Sequence, residues 1–130
     1  ARARAGRYSQ FEIQRGLPIR RAMRWFETTP QGDWVARPEL VRQISFRPVN
    51  LVADRWPAGR FDVILCRNVL LYLSSALKGE VFARFATTLR PGGVLVIGAG
   101  ETVIGQTDRF MPCPRYRGFY EPAVTAARTA

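Results

Sequence analysis

The sequence predicts an α/β fold, the later half of an open sheet with a small antiparallel β-flap ahead of it. Three observations carry this expectation. Residues 61–66 (FDVILC) are a short run rich in Val, Ile and Leu, the pattern of a strand buried on both faces. Ser74 and Ser75 stand where a helix would be capped, and Leu77, Val81, Phe82, Phe85 and Leu89 follow at spacings of three and four, which gives the helix one apolar face. Pro91-Gly92-Gly93 then stops that helix, and residues 94–97 supply a second buried strand. A strand–helix–strand unit of this length is a right-handed parallel crossover, and ligands in such sheets sit beyond the carboxyl ends of the strands. Cys66-Arg67-Asn68 lies at one such end and residues 98–101 at the other, so the site is expected there.

Ahead of this unit the elements are shorter. Residues 1–8 carry no hydrophobic periodicity and read as a frayed start. Phe11, Ile13, Leu17 and Ile19, broken by Gly16 and Pro18, predict two short helical pieces over 8–15 and 18–26. In the second, Ala22, Trp25 and Phe26 are expected to face inward, with Met23 packing too. Residues 1–26 are therefore taken as a helical segment. Residues 27–44 are taken as the flap: a turn at 30–33, a short strand at Trp34-Val35-Ala36, a second turn at Arg37-Pro38-Glu39, then a strand over 40–44. Residues 44–49 would continue as an edge strand, since Pro48 is excluded from a central one. Residues 52–60 form a loop, with Trp56-Pro57-Ala58-Gly59 as an apolar plug.

Beyond the core unit, residues 102–105 are expected to make one helical turn. Residues 109–113 and 117–121 then read as two strands joined at Pro114-Arg115-Tyr116, with Phe110, Phe119 and Tyr120 against the sheet. Residues 45–121 thus form one sheet-bearing region, and the Ala/Thr-rich residues 122–130 a disordered tail.

Composition narrows the chemistry. The 130-residue chain has no histidine and two cysteines, so zinc sites, Ser-His or Cys-His nucleophiles and a disulfide framework are not expected, nor is any metal. No window approaches the roughly 18 uninterrupted apolar residues of a membrane span. The start of the chain is basic with no apolar segment after it, which does not read as a signal peptide, and a cytoplasmic location is expected. The net charge is +10, and nineteen of the twenty basic residues are arginine, with Lys78 the sole lysine, as codon bias would produce. Seven arginines fall within residues 1–24 against one acid, Glu12. That face suits phosphates or an acidic protein surface, and a solvated helix face accounts for it equally well. No aromatic ladder, zinc-finger spacing or helix-turn-helix pattern supports nucleic acid as a partner. The chain also has no G-x-G-x-x-G, no P-loop and no paired carboxylates in one motif. Group transfer to a nucleophile that is already ionised fits this inventory.

FDVILCRNVLLYL, followed by a helix and LRPGGVLVIGAGET, resembles the CheR-type chemotaxis-receptor methyltransferases, whose usual run is close to FD-x-I-x-CRNVLIYF and then L-x-PGG-x-L-x-x-GHSE. YSQFEIQRGLP and FRPVNL resemble further segments of that family, so the likeness covers about residues 4–121. The resemblance implies a partial class I (Rossmann-like) methyltransferase sheet lacking its first two strands. It implies S-adenosylmethionine as cofactor, S-adenosylhomocysteine as product, and methylation of glutamate side chains on the cytoplasmic domain of a chemoreceptor-like protein. By motif, Asn50 and Leu51 match the family's NL pair along the cofactor's adenosine. Arg67 and Asn68 match its cofactor-contacting RN pair. Tyr72 matches the tyrosine that borders the methyl-transfer site, where it would position the substrate carboxylate. The flap corresponds to one that some members use to hold a tethering peptide.

Each residue also has a plainer role open to it. Arg67 could pair with Asp62 or Glu101, Asn68 could cap a turn or helix, Asn50 could end a strand, and Tyr72 could pack in the core. Cys66 reads as an inert buried thiol and Glu101 as a carboxylate at a helix start. Two departures from the family stand out. Its GHSE run is here Gly98-Ala99-Gly100-Glu101, and the receptor-facing helical domain and first two strands, with the glycine loop and the ribose-binding acid, are not in this sequence. In the family's strand order 3-2-1-4-5-7-6, those strands separate residues 44–49 from residues 61–66. This chain must therefore pair its strands differently, exchange elements with a second copy as a homo-oligomer, or be part of a longer protein. The leading function is protein-glutamate O-methyltransfer by the complete protein, with little activity in this segment alone. The alternative is a non-catalytic, methyltransferase-derived module that binds a partner protein.

Overall fold

A computed structural model of the chain describes residues 2–53, 56 and 61–123. The chain divides into two units, Ala1–Pro48 and Val49–Ala130.

The first unit is built on a three-stranded antiparallel sheet. After α1 (Arg2–Ala5), Gly6 turns the chain at φ 60° into β1 (Arg7–Tyr8). Helix α2 (Gln10–Gly16) begins with a capping box: Ser9 Oγ accepts from the Glu12 N–H, and the Glu12 carboxylate accepts from the Ser9 N–H. Helix α3 (Ile19–Trp25) follows Pro18, whose fixed φ suits a helix entry. Strands β2 (Phe26–Thr28) and β3 (Trp34–Ala36) form a hairpin, and β1 adds to the far side of β3 to give the order β1-β3-β2. Ile13, Ala22 and Trp34 are its buried core, with Tyr8, Leu17 and Phe26 packed against them.

Several expectations are corrected here. Arg7–Tyr8 is a paired strand, not a frayed end: its partners are Val35 and Trp34. Residues 40–44 do not form a strand of the flap. Pro38 opens a short helix, α4 (Pro38–Val41), with Glu39 in its first turn, and this takes the hydrogen bonds a strand would need. Residues 44–49 carry no strand, as a segment interrupted by Pro48 and lacking a ladder partner would not. Met23 is 65 % exposed on the outer side of α3 rather than packed.

The second unit carries the crossover. Strand β4 (Phe61–Cys66) leads through a 3₁₀ turn (Leu70–Tyr72) into α5 (Ser75–Thr88), and β5 (Leu89–Ile97) returns parallel to β4. Ser74 caps α5 by accepting from the Leu77 N–H. Strand β5 begins irregularly through Pro91-Gly92-Gly93, where Gly92 has φ 77° and the register against β4 shifts. One helical turn near Val103 is closed by the Gln106 and Thr107 N–H groups. Strands β6 (Phe110–Pro112) and β7 (Phe119–Pro122) then complete a four-stranded sheet of order β4-β5-β7-β6. That is the 4-5-7-6 half of the order expected from sequence, a partial Rossmann-like methyltransferase sheet.

Helix α5 buries Val81, Phe82 and Phe85 against one sheet face, where Cys66, Leu95, Ile97, Phe110 and Tyr120 meet them. Phe82 lies edge-on to both Phe85 and Phe110, at centroid distances of 6.4 and 6.2 Å. Trp56 packs edge-on against Phe85 at 4.9 Å, which is the plug expected of it. Its companions Pro57, Ala58 and Gly59 lie outside the described residues, as do residues 124–130 of the tail.

The double burial expected of β4 does not hold. Phe61, Val63 and Leu65 are 43, 48 and 72 % exposed, while the alternating Ile64 and Cys66 face the α5 core. The cause is position. β4 is an edge strand of this sheet, and α5 lies on the face opposite these three side chains. No helix among the described residues is long and apolar enough to cross a membrane.

Candidate cofactor and substrate site

The carboxyl ends of β4 and β5 lie side by side, with Cys66 registered on Ile97. Past Cys66 the chain turns sharply at Asn68, a residue with φ 58°. Asparagine is among the few residues that occupy this left-handed region at small cost. The turn feeds directly into the Leu70–Tyr72 3₁₀ helix.

The turn is held from the other strand. Glu101 Oε1 accepts from the N–H groups of Val69, Leu70 and Leu71 at 3.1, 2.9 and 3.2 Å. Its Oε2 accepts from the N–H groups of Asn68 and Gly98 at 2.9 and 2.7 Å. Burial works against ionisation of this carboxyl. The N–H groups of Asn68, Gly98, Leu71 and Leu70 together outweigh it and hold the group below its ordinary value. Gly98 leaves the room required: a Cβ there would stand 2.7 Å from Glu101 Oε2 and 3.0 Å from the Asn68 nitrogen.

Arg67 is exposed and lines an open cavity of about 670 Å³ together with Leu65, Val96, Gly98, Ala99 and Arg117. Neither carboxylate proposed as its ion-pair partner takes that part. Asp62 pairs with Arg90, and Glu101 is occupied by the five backbone donors. Asn68 contributes its backbone N–H to Glu101, and the N-cap position of the 3₁₀ helix is held by Val69 rather than by Asn68. Tyr72 is 81 % exposed at the end of that helix, so it is not a core residue. Cys66 is buried, and burial first, then the nearby Glu101 charge, push its thiol up to about 11.

Asn50 and Leu51 are placed differently. The Asn50 side chain closes a turn by accepting from the Val52 and Ala53 N–H groups at 3.0 and 3.2 Å. Leu51 packs at the margin of the α5 core, and its carbonyl accepts from Arg84 at 2.8 Å. The cavity at Arg67 is not lined by Asn50, Leu51 or Tyr72. The structure therefore joins Arg67, Asn68 and Glu101 at one strand end, sets Tyr72 on the turn beyond, and ties Leu51 of the NL pair to α5 through Arg84. Sequence reasoning missed Arg117, which lines the same cavity as Arg67, and the reach of Glu101. The one signal for the latter was that Gly98 and Glu101 keep the glycine and the glutamate of the GHSE run while the two residues between them change.

A half-sheet of order β4-β5-β7-β6 with a parallel β4-α5-β5 crossover is consistent with a partial Rossmann-like methyltransferase fold. The family model "CheR methyltransferase, SAM binding domain" matches residues 1–119. Chemotaxis protein methyltransferase Cher2 of Pseudomonas putida is 36 % identical over 107 residues, covering 82 % of this chain and 39 % of that protein. The chemotaxis protein methyltransferase of Vibrio parahaemolyticus is 40 % identical over the same length and shares. The chain belongs to the CheR methyltransferase family, within its SAM-binding domain. It spans 39 % of the length of these curated relatives.

Proposed function

We propose that the complete protein transfers a methyl group from S-adenosylmethionine to glutamate carboxylates on the cytoplasmic domain of a chemoreceptor-like protein. The observation that carries this is the family match through the Arg67-Asn68 turn, a turn that stands at a strand's carboxyl end beside an open cavity. The cofactor, when bound, supplies a sulfonium methyl group. A glutamate carboxylate is ionised at neutral pH and needs no base to attack it, so the chain's own work is positioning and exclusion of water. The absence of histidine from these 130 residues is therefore no objection. Arg67 and Asn68 hold the cofactor from the β4 end, Asn50 and Leu51 line its adenosine, and Tyr72, already exposed, orients the carboxylate that is methylated. Arg67, Asn68 and Tyr72 form one wall of the cleft. The glycine loop and ribose-binding acid that the family places on its first strands would form the other.

The test uses the complete protein, S-adenosylmethionine and a receptor cytoplasmic domain. Mass spectrometry is expected to find the added mass of one CH₂ on glutamate side chains, removable by mild base as an ester would be. Transfer to lysine or arginine, or no transfer, overturns the proposal.

A further inference from the structure

The helix start expected at Glu101 from the sequence is not there: the residue starts no helix of its own segment, and its carboxylate instead lies across the ends of β4 and β5. It takes hydrogen bonds from four consecutive N–H groups of the β4 turn and from one at the end of β5. Consecutive N–H groups that converge on one anion form a nest of fixed polarity. Here the anion belongs to the protein itself. The nest includes Asn68, whose left-handed conformation is otherwise disfavoured, and its remaining members are the first residues of the turn that ends in Tyr72. Gly98 is fitted to the same carboxylate, because any side chain there would collide with Oε2.

We infer that Glu101 is a positioning residue for methyl transfer: its ionised carboxylate sets the conformation of residues 67–72 and so aims Arg67, Asn68 and Tyr72. This rests on the function proposed above for those three side chains. The geometry distinguishes it from an ordinary cap. A cap satisfies one or two donors of its own helix, whereas Glu101 reaches across thirty or more residues of chain and ties the two strand ends that border the cavity. A neutral glutamine cannot replace it. Its NH₂ would face N–H donors on one of the two sides, leaving two or three of them without an acceptor. Because the nest favours the ionised form, its contribution is fully present above the ordinary carboxyl value of 4.5 and is lost as pH falls through the lower folded value.

The test is made on the complete protein with Glu101→Gln and, as a second variant, Gly98→Ala, which leaves the carboxylate in place chemically and displaces it sterically. In the wild type the amide resonances of residues 68, 69, 70, 71 and 98 are expected to shift together on acidification with one midpoint below 4.5. Either variant should speed amide exchange at residues 68–71 by about tenfold or more and weaken S-adenosylhomocysteine binding by about tenfold. Separate midpoints, or unchanged exchange in both variants, overturn the inference. Faster exchange with undiminished affinity also overturns it, since Glu101 would then be a structural clasp only. A wild-type protein that shows the shared titration and binds no S-adenosylhomocysteine refutes the cofactor assignment instead, and with it the purpose ascribed to Glu101.

Discussion

Arg84 donates to the carbonyl oxygen of Leu51 at 2.8 Å, and this bond fastens the Asn50-Leu51 segment to the helix that runs out of the Tyr72 turn. A guanidinium on a partly buried carbonyl is a charge-assisted bond, stronger than a neutral pair. Arg84→Met keeps the apolar stem and removes the donors. Urea unfolding is expected to show a loss of about 1–2 kcal/mol, with faster amide exchange at Val52 and Ala53. A loss below about 0.5 kcal/mol would place the bond among the surface contacts that contribute little.

The two faces of the sheet should respond very differently to substitution. Phe82 is 1 % exposed and in edge contact with two other rings, so Phe82→Ala is expected to cost about 3–5 kcal/mol. Leu65, 72 % exposed on β4, should tolerate Leu65→Ser in this chain within about 0.5 kcal/mol. Denaturant midpoints of the two variants check both values.

Cys66 gives a pH dependence whose sign follows from its environment. Its thiol is raised from 9.0 to about 11, so the folded state holds the proton more tightly than the unfolded chain does. The stability this confers is complete below pH 9.0 and is lost as pH rises toward 11. Cys66→Ala should remove that part of the alkaline decline, on the order of 2 kcal/mol. In the wild type at about pH 8, a thiol reagent should label Cys113 well before Cys66.

Tyr72 tests the proposed methyl-transfer role directly. Tyr72→Phe in the complete protein is expected to lower turnover at least about tenfold while leaving cofactor affinity unchanged, the pattern of an interaction made only in the transition state. Unchanged turnover would remove its role. If the proposed cleft is right, the 130-residue chain by itself supplies one wall of it and should bind S-adenosylhomocysteine far more weakly than the complete protein does by calorimetry.

The core unit was legible because its signals are local. Val81, Phe82 and Phe85 announce a helix by spacing, and Ser74 announces where it starts. The strand Arg7–Tyr8 was not legible, since two residues have no period and only the distant Trp34 and Val35 make them a strand. Leu40 and Val41 looked extended until Pro38 set a helical turn beneath them. The exposure of Phe61, Val63 and Leu65 was also hidden: their composition suits a strand covered on both faces, and a neighbour's absence leaves no trace in the strand's own letters. At the site, the motif offers Arg67, Asn68 and Tyr72 as candidates. It could not show Glu101's grip, because all five donors are backbone groups and side-chain letters do not record where a main-chain N–H points.

The left-handed φ of Asn68 decides how its mutants must be designed. Alanine at that position would remove the carboxamide and strain the main chain at once, so a damaged Asn68→Ala enzyme would not say which loss did the harm. Glycine adopts φ 58° freely. Asn68→Gly therefore isolates the side chain's chemistry, and the difference between the two variants measures the worth of the bend itself.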